Sequence, residues 1–85
     1  MNTLSPTSIE LFTNLQRIVS EISGNEPSEI TPYSHIREDL GVSPMELAQL
    51  SAMLEEQYGV KLGRDELADI ETMGDLMLYI EEELG

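Results

Sequence analysis

Ile9, Phe12, Leu15, Ile18, Val19 and Ile22 recur mostly at three- and four-residue steps, the spacing that gathers side chains onto one face of an α-helix. Thr7 stands before this stripe and Glu10 three residues later, a pair that can satisfy the free amides of a helix start reciprocally. The pattern predicts a first helix opening near Thr7 and stopping at Gly24, because glycine tolerates the left-handed backbone of a helix end. Periodicity is then lost over residues 25–41, where Pro27 and Pro32 each disfavour helix at the residue before them. Ile30, Tyr33, Ile36 and Leu40 are expected to pin this long connection to the core, and a loop of such length usually has a purpose or holds a short turn.

A second helix has the clearest start in the chain, with Ser43 suited to the N-cap, Pro44 to the first helical position and Glu46 to the third. Leu47, Leu50, Leu54 and Tyr58 fall on its inward face, and Gly59 ends it. Val60-Lys61-Leu62 reads as extended, and Asp65-Glu66-Leu67-Ala68-Asp69 as a helical turn or two. Thr72 and Asp75 repeat the capping pattern and open a last helix with Met73, Leu76, Met77, Ile80 and Leu84 turned inward. The expected fold is an all-α bundle of three longer helices and one short one, with a long loop between the first two.

The chain of 85 residues suits one domain spanning 1–85. At this size folding hides roughly 60–65% of the surface of the unfolded chain, too little for a deep enzyme cleft. There is no cysteine, hence no disulfide, thiolate nucleophile or cysteine-ligated zinc. Met1 to Pro6 shows neither a basic start nor an apolar run. No signal peptide and no membrane span are expected, and the cytoplasm is the expected location. Seventeen acids against four bases give a net charge of −13. Such a chain is a poor ligand for nucleic acid, whose phosphates need clustered Lys and Arg. It suits basic protein surfaces, since opposite fields speed encounter. No acidic group has the spacing of a calcium loop, so no specific metal is expected. His35, the lone histidine, has no catalytic partner in sequence, and the chain is not expected to be an enzyme.

Asp39-Leu40-Gly41-Val42-Ser43-Pro44-Met45-Glu46-Leu47, followed by Leu54-Glu55-Glu56-Gln57-Tyr58-Gly59, resembles the signature of the acyl carrier proteins. That family has Asp-Leu-Gly, one variable residue and Asp-Ser-Leu at the start of a helix, which ends in a Leu-Glu-Glu-Glu-Phe-Gly-like run. The resemblance covers residues 7–84 or so and implies the family's four-helix bundle. It also implies 4'-phosphopantetheine, attached by a phosphopantetheinyl transferase to a serine hydroxyl and carrying an acyl thioester. In this register Ser43 takes the place of the family's Asp, and Pro44 the place of the serine that holds the arm. Proline has no hydroxyl, so the arm is either absent or displaced by one residue to Ser43.

Two readings of Ser43 therefore stand side by side: a displaced attachment point, or the cap of the second helix. The cap is favoured because the family's Asp is itself a good cap, and a capping side chain points back at its own helix whereas an arm must point away. Ser34 lies too far ahead of the motif to substitute, and Ser51 falls near the inward face of the helix.

Opposite the leucine stripe lie Met45, Ala48, Gln49, Ala52 and Glu56, a face poor in charge for one meant only to meet water. By the resemblance this face, with Glu46, docks onto acyl-transfer or condensing enzymes bearing basic patches. Gln49 and Gln57 stand where the family often has acids, so partner choice is expected to differ from that of the housekeeping carrier. The resemblance points to a monomeric acyl-carrier-like protein of a fatty-acid, polyketide or specialised lipid pathway. The alternative is a non-carrying adaptor that keeps the fold and the docking face.

Overall fold

A computed structural model describes residues 7–85. The features expected of Met1 to Pro6 lie outside the described residues. Four helices follow in order: α1 (Ser8–Ser23), α2 (Pro44–Tyr58), α3 (Arg64–Asp69) and α4 (Met73–Leu84), with a 3-10 turn at Pro27–Glu29 inside the first connection. The described residues form no strand beyond an isolated antiparallel bridge between His35 and Thr72. The all-α bundle read from the pattern is the fold observed.

The helix starts are chemically uniform. Each long helix opens on a hydroxyl that accepts from the third backbone amide, while the acid at that position accepts from the cap: Thr7 with Glu10, Ser43 with Glu46 and Thr72 with Asp75. Two of the four orphan amides at each helix start are thereby satisfied without water.

The core gathers Leu11, Leu15, Ile18 and Val19 of α1, Leu50 and Leu54 of α2, and Met73, Leu76 and Ile80 of α4, with Ile30, Ile36, Leu40, Val42 and Val60 from the connections. Packing α1 against both α2 and α4 makes it the central element. The α1 stripe differs from the expected one at its first turn. Ile9 is 79% exposed, and Leu11 takes the inward place at 1%. Helix geometry explains this: at about 100° per residue, Leu11 lies about 40° from Leu15 around the axis, whereas Ile9 lies about 120° away. Three-residue steps drift off a 3.6-residue period when they are chained.

The long first connection is pinned by Ile30, Ile36 and Leu40, as expected, but not by Tyr33, which is 85% exposed. The turn from Thr31 to Ser34 faces the other way round. The Ser34 hydroxyl accepts from the Thr31 amide at 3.0 Å, and Ser34 is the residue that is buried. Polar side chains complete the attachment. Gln16 of α1 donates to the carbonyls of Pro27 (3.1 Å) and Ile30 (2.7 Å), and Asn25 donates to that of Leu40 at 2.7 Å. At its far end the connection joins α4 through backbone bonds from Ile36 to Glu71 (2.9 Å), Met73 to Ser34 (3.0 Å) and Gly74 to Pro32 (2.8 Å). The last contact favours glycine, since a Cβ at position 74 would stand a tight 3.0 Å from the Pro32 carbonyl oxygen.

One polar atom is out of keeping with this economy. Ser51 Oγ is buried in α2 without a hydrogen-bond partner. A buried hydroxyl that has lost its water costs about 1–3 kcal/mol, and alanine is the better helix former. Ser51→Ala is expected to raise stability by about 1 kcal/mol, measured by urea unfolding. A destabilised variant would mean that the hydroxyl has a partner in solution.

Candidate functional site

The segment before α2 is a tight scaffold built by Asp39-Leu40-Gly41. The carboxylate of Asp39 accepts from the His35 amide at 2.8 Å and lies 3.4 Å from His35 Nδ1. The backbone bond from His35, with the nearby imidazole adding to it, holds the Asp39 carboxyl below its ordinary value, against a smaller opposing effect of desolvation. Leu40 anchors the turn in the core, and Gly41 leaves it with φ +68°, a left-handed conformation that costs glycine nothing. Val42 follows, buried, with its amide on the Ile36 carbonyl at 3.1 Å. The start of α2 is thus fixed from behind by two apolar anchors and a hydrogen-bonded turn.

At that start Ser43 is extended (φ −77°, ψ 166°), the usual N-cap conformation. Its Oγ accepts from the Glu46 amide at 3.1 Å, and its own amide donates to Glu46 Oε1 at 2.9 Å. Pro44 occupies the first helical position, where its missing N–H would have been unpaired in any case. Met45 follows, 75% exposed.

From Met45 the outward face runs through Ala48, Gln49, Ala52 and Glu56, all exposed. Glu46 stands apart from it. It is only half-exposed, about 100° around the helix from Met45, and one of its oxygens is engaged in the cap. Gln57 also has a structural partner, accepting from Asn14 of α1 at 3.0 Å. The long-range pairing of Gln57 with Asn14 has no signature in local sequence. A cleft of about 390 Å³ opens elsewhere, between the turn after His35 and the end of α3. His35, Arg37, Glu38, Ala68, Ile70 and Glu71 line it without a nucleophile.

Residues 14–80 match the family model described as a phosphopantetheine attachment site. A meromycolate extension acyl carrier protein of Mycolicibacterium smegmatis is 33% identical over 79 residues, which cover 93% of this chain and 80% of that relative. The chain belongs to the acyl carrier protein family. An acyl carrier protein of Rhodococcus erythropolis is 33% identical over 79 residues, 93% of this chain and 87% of that protein. One of Thermotoga maritima is 36% identical over 76 residues, 89% of this chain and 94% of its own length. Acyl carrier proteins are carriers rather than catalysts, and their prosthetic group is 4'-phosphopantetheine.

The acyl carrier frame and the residues at its attachment position disagree in this chain. The frame offers a helix N-terminus, whose free amides and partial positive charge suit a phosphate. In the register that the motif resemblance implies, the attachment position holds Pro44, without a hydroxyl, and the neighbouring Ser43 Oγ is turned onto the Glu46 amide. Ser34 is buried and bonded to Thr31, and Ser51 Oγ is enclosed in the protein. These residues do not fit the group.

The acidity of the chain has a measurable consequence. Asp39 is held low by the His35 amide, and Asp75 by the amides of Thr72 and Glu71 at 3.1 Å each. A carboxyl depressed on folding contributes stability above its unfolded pKa of about 3.9 and loses it as pH falls through the lower folded value. Against this, the net charge of −13 makes the folded state repel itself at neutral pH. The melting temperature is expected to rise on acidification from pH 7 toward about 5 as acids begin to protonate, and to fall below about pH 4 as Asp39 and Asp75 follow. At pH 7, added NaCl or Mg²⁺ is expected to raise it by screening. A melting temperature still climbing at pH 3, or indifferent to salt, would remove the physical basis of this account.

Proposed function

We propose that this chain serves a lipid-biosynthetic pathway in the cytoplasm as a monomeric acyl-carrier-type docking protein, presenting the outward face of α2 to acyl-transfer or condensing enzymes with basic docking patches. The observation that carries the proposal is that face itself: Met45, 75% exposed at the head of α2, leads a weakly charged strip on a protein of net charge −13. An exposed methionine is an adaptable apolar anchor, and the acidic surround supplies long-range attraction to a basic partner. Family membership supports the same surface, and the relative named for meromycolate extension supports a lipid pathway. Glu46, tied to the cap, contributes charge at the margin of the face, while Ala48, Gln49 and Ala52 give it a flat centre.

Binding to a purified ketosynthase-type condensing enzyme, followed by surface plasmon resonance, tests the face. Met45→Ala is expected to weaken binding about tenfold, as for the loss of one well-buried anchor. Glu56→Lys is expected to slow association and flatten its salt dependence. Both positions are exposed, so the melting temperature should hardly move. Unchanged binding in both variants would take the partner off this face.

A further inference from the structure

We infer that this chain keeps the carrier's docking helix without the arm, and so occupies carrier-binding enzymes while delivering no thioester. The inference rests on the docking reading above and adds to it a statement about chemistry: the absent hydroxyl at Pro44 is what removes the phosphopantetheine.

Two roles meet at the head of such a helix, and adjacent positions perform them. One residue must cap the amides by pointing back, and the next must offer a hydroxyl by pointing out. Ser43 performs the first role completely. Its Oγ accepts from the Glu46 amide at 3.1 Å, and its amide is closed by Glu46 Oε1 at 2.9 Å. Pro44 fills the second position, and its ring supplies no nucleophile. Reaching instead to Ser34 or Ser51 would require opening the turn at Thr31 or the interior of α2, because Ser34 is 8% exposed and Ser51 Oγ is buried.

What the substitution spares is as informative as what it removes. Proline at the first helical position is compatible with the helix, so the segment keeps its order and Met45 keeps its exposed place beside it. A transferring enzyme meets the expected fold, an acidic surround and an apolar anchor, with no thiol behind them. Such a protein competes with a loaded carrier for the same basic patch.

The experiment has two independent arms. Wild-type protein and Pro44→Ser are each incubated with a promiscuous phosphopantetheinyl transferase and coenzyme A, and their intact masses are recorded. The wild type is expected to show no mass gain and Pro44→Ser to gain a single phosphopantetheine, mapped to position 44. An adduct on wild-type Ser43 overturns the inference, and so does a Pro44→Ser variant that stays unmodified, since proline would then not be what stands in the way. In the second arm, unmodified wild-type protein is added to a ketosynthase assay fed by a loaded carrier of the family. The apparent KM for the loaded carrier is expected to rise with kcat unchanged, and Met45→Ala to reduce that rise about tenfold at the same concentration. Absence of competition, with the wild type still free of the arm, overturns the docking reading and with it the competitor's role. The mass spectrum reports the arm alone, so the two failures are distinguishable.

Discussion

Leu11→Ala is expected to cost about 2–5 kcal/mol of unfolding free energy, while Ile9→Ala, two residues earlier on the same helix, stays within about 0.5 kcal/mol of wild type. Leu11 is 1% exposed and belongs to the core that α1 shares with its neighbours, so truncation leaves a cavity in a close-packed interior. Ile9 is 79% exposed and surrenders almost nothing that folding had hidden. A domain of 85 residues has roughly 4–13 kcal/mol of stability in all, so the Leu11 variant loses a large share of it. Paired urea melts of the two variants decide the matter. Equal losses, or a larger loss at Ile9, would mean that α1 is rotated about its axis relative to the structure described.

The same pair of residues marks the boundary of what could be read in advance. Helix ends were legible because their chemistry is local: a hydroxyl and an acid three residues apart both find partners inside a single turn, and all three such pairs form. The middle of each apolar stripe was legible for a related reason, since Leu15, Ile18, Val19, Leu50, Leu54, Leu76 and Ile80 repeat at the period of the helix that carries them. At the first turn of α1 Ile9 and Leu11 are both apolar; chained three-residue steps back from Leu15 reach Ile9, whereas the 3.6-residue period of the helix selects Leu11. Tyr33 sits in a connection with no period at all, where Ser34 took the inward place through a hydrogen bond to Thr31. Polar ties across long separations, Gln16 to the carbonyl of Ile30 or Asn14 to Gln57, leave no trace in local pattern.

The candidate site divides along the same line. Exposure of Met45, Ala48, Gln49, Ala52 and Glu56 follows from helical arithmetic, because the residues opposite a buried stripe face outward. The standing of Glu46 does not. Sequence places it both at the third helical position and among the docking residues, and its bond to the Ser43 amide shows that the cap has a claim on it. A charge held in a cap is less free to reach a partner than a charge on a mobile side chain. Glu56, exposed and nearly three turns further along, is the better electrostatic contact for a basic surface.

Ser43 is where the cap and the arm can be separated by energetics as well as by mass. Ser43→Ala is expected to destabilise the protein by about 0.5–2 kcal/mol, since the Glu46 amide loses its acceptor at a helix start that lies on the surface. Ser43→Asp is expected to be nearly neutral, because a carboxylate supplies the same acceptor and its charge suits the positive end of the helix. The local excess of acid sets a limit on that gain, as Glu46 already stands at the same helix end, and the small benefit of aspartate should grow when salt screens the pair. Urea unfolding of the three proteins at low and moderate NaCl measures this directly. Should Ser43→Ala prove as stable as wild type, Ser43 Oγ would not be capping α2, and its hydroxyl would be free for the attachment that the geometry now denies it.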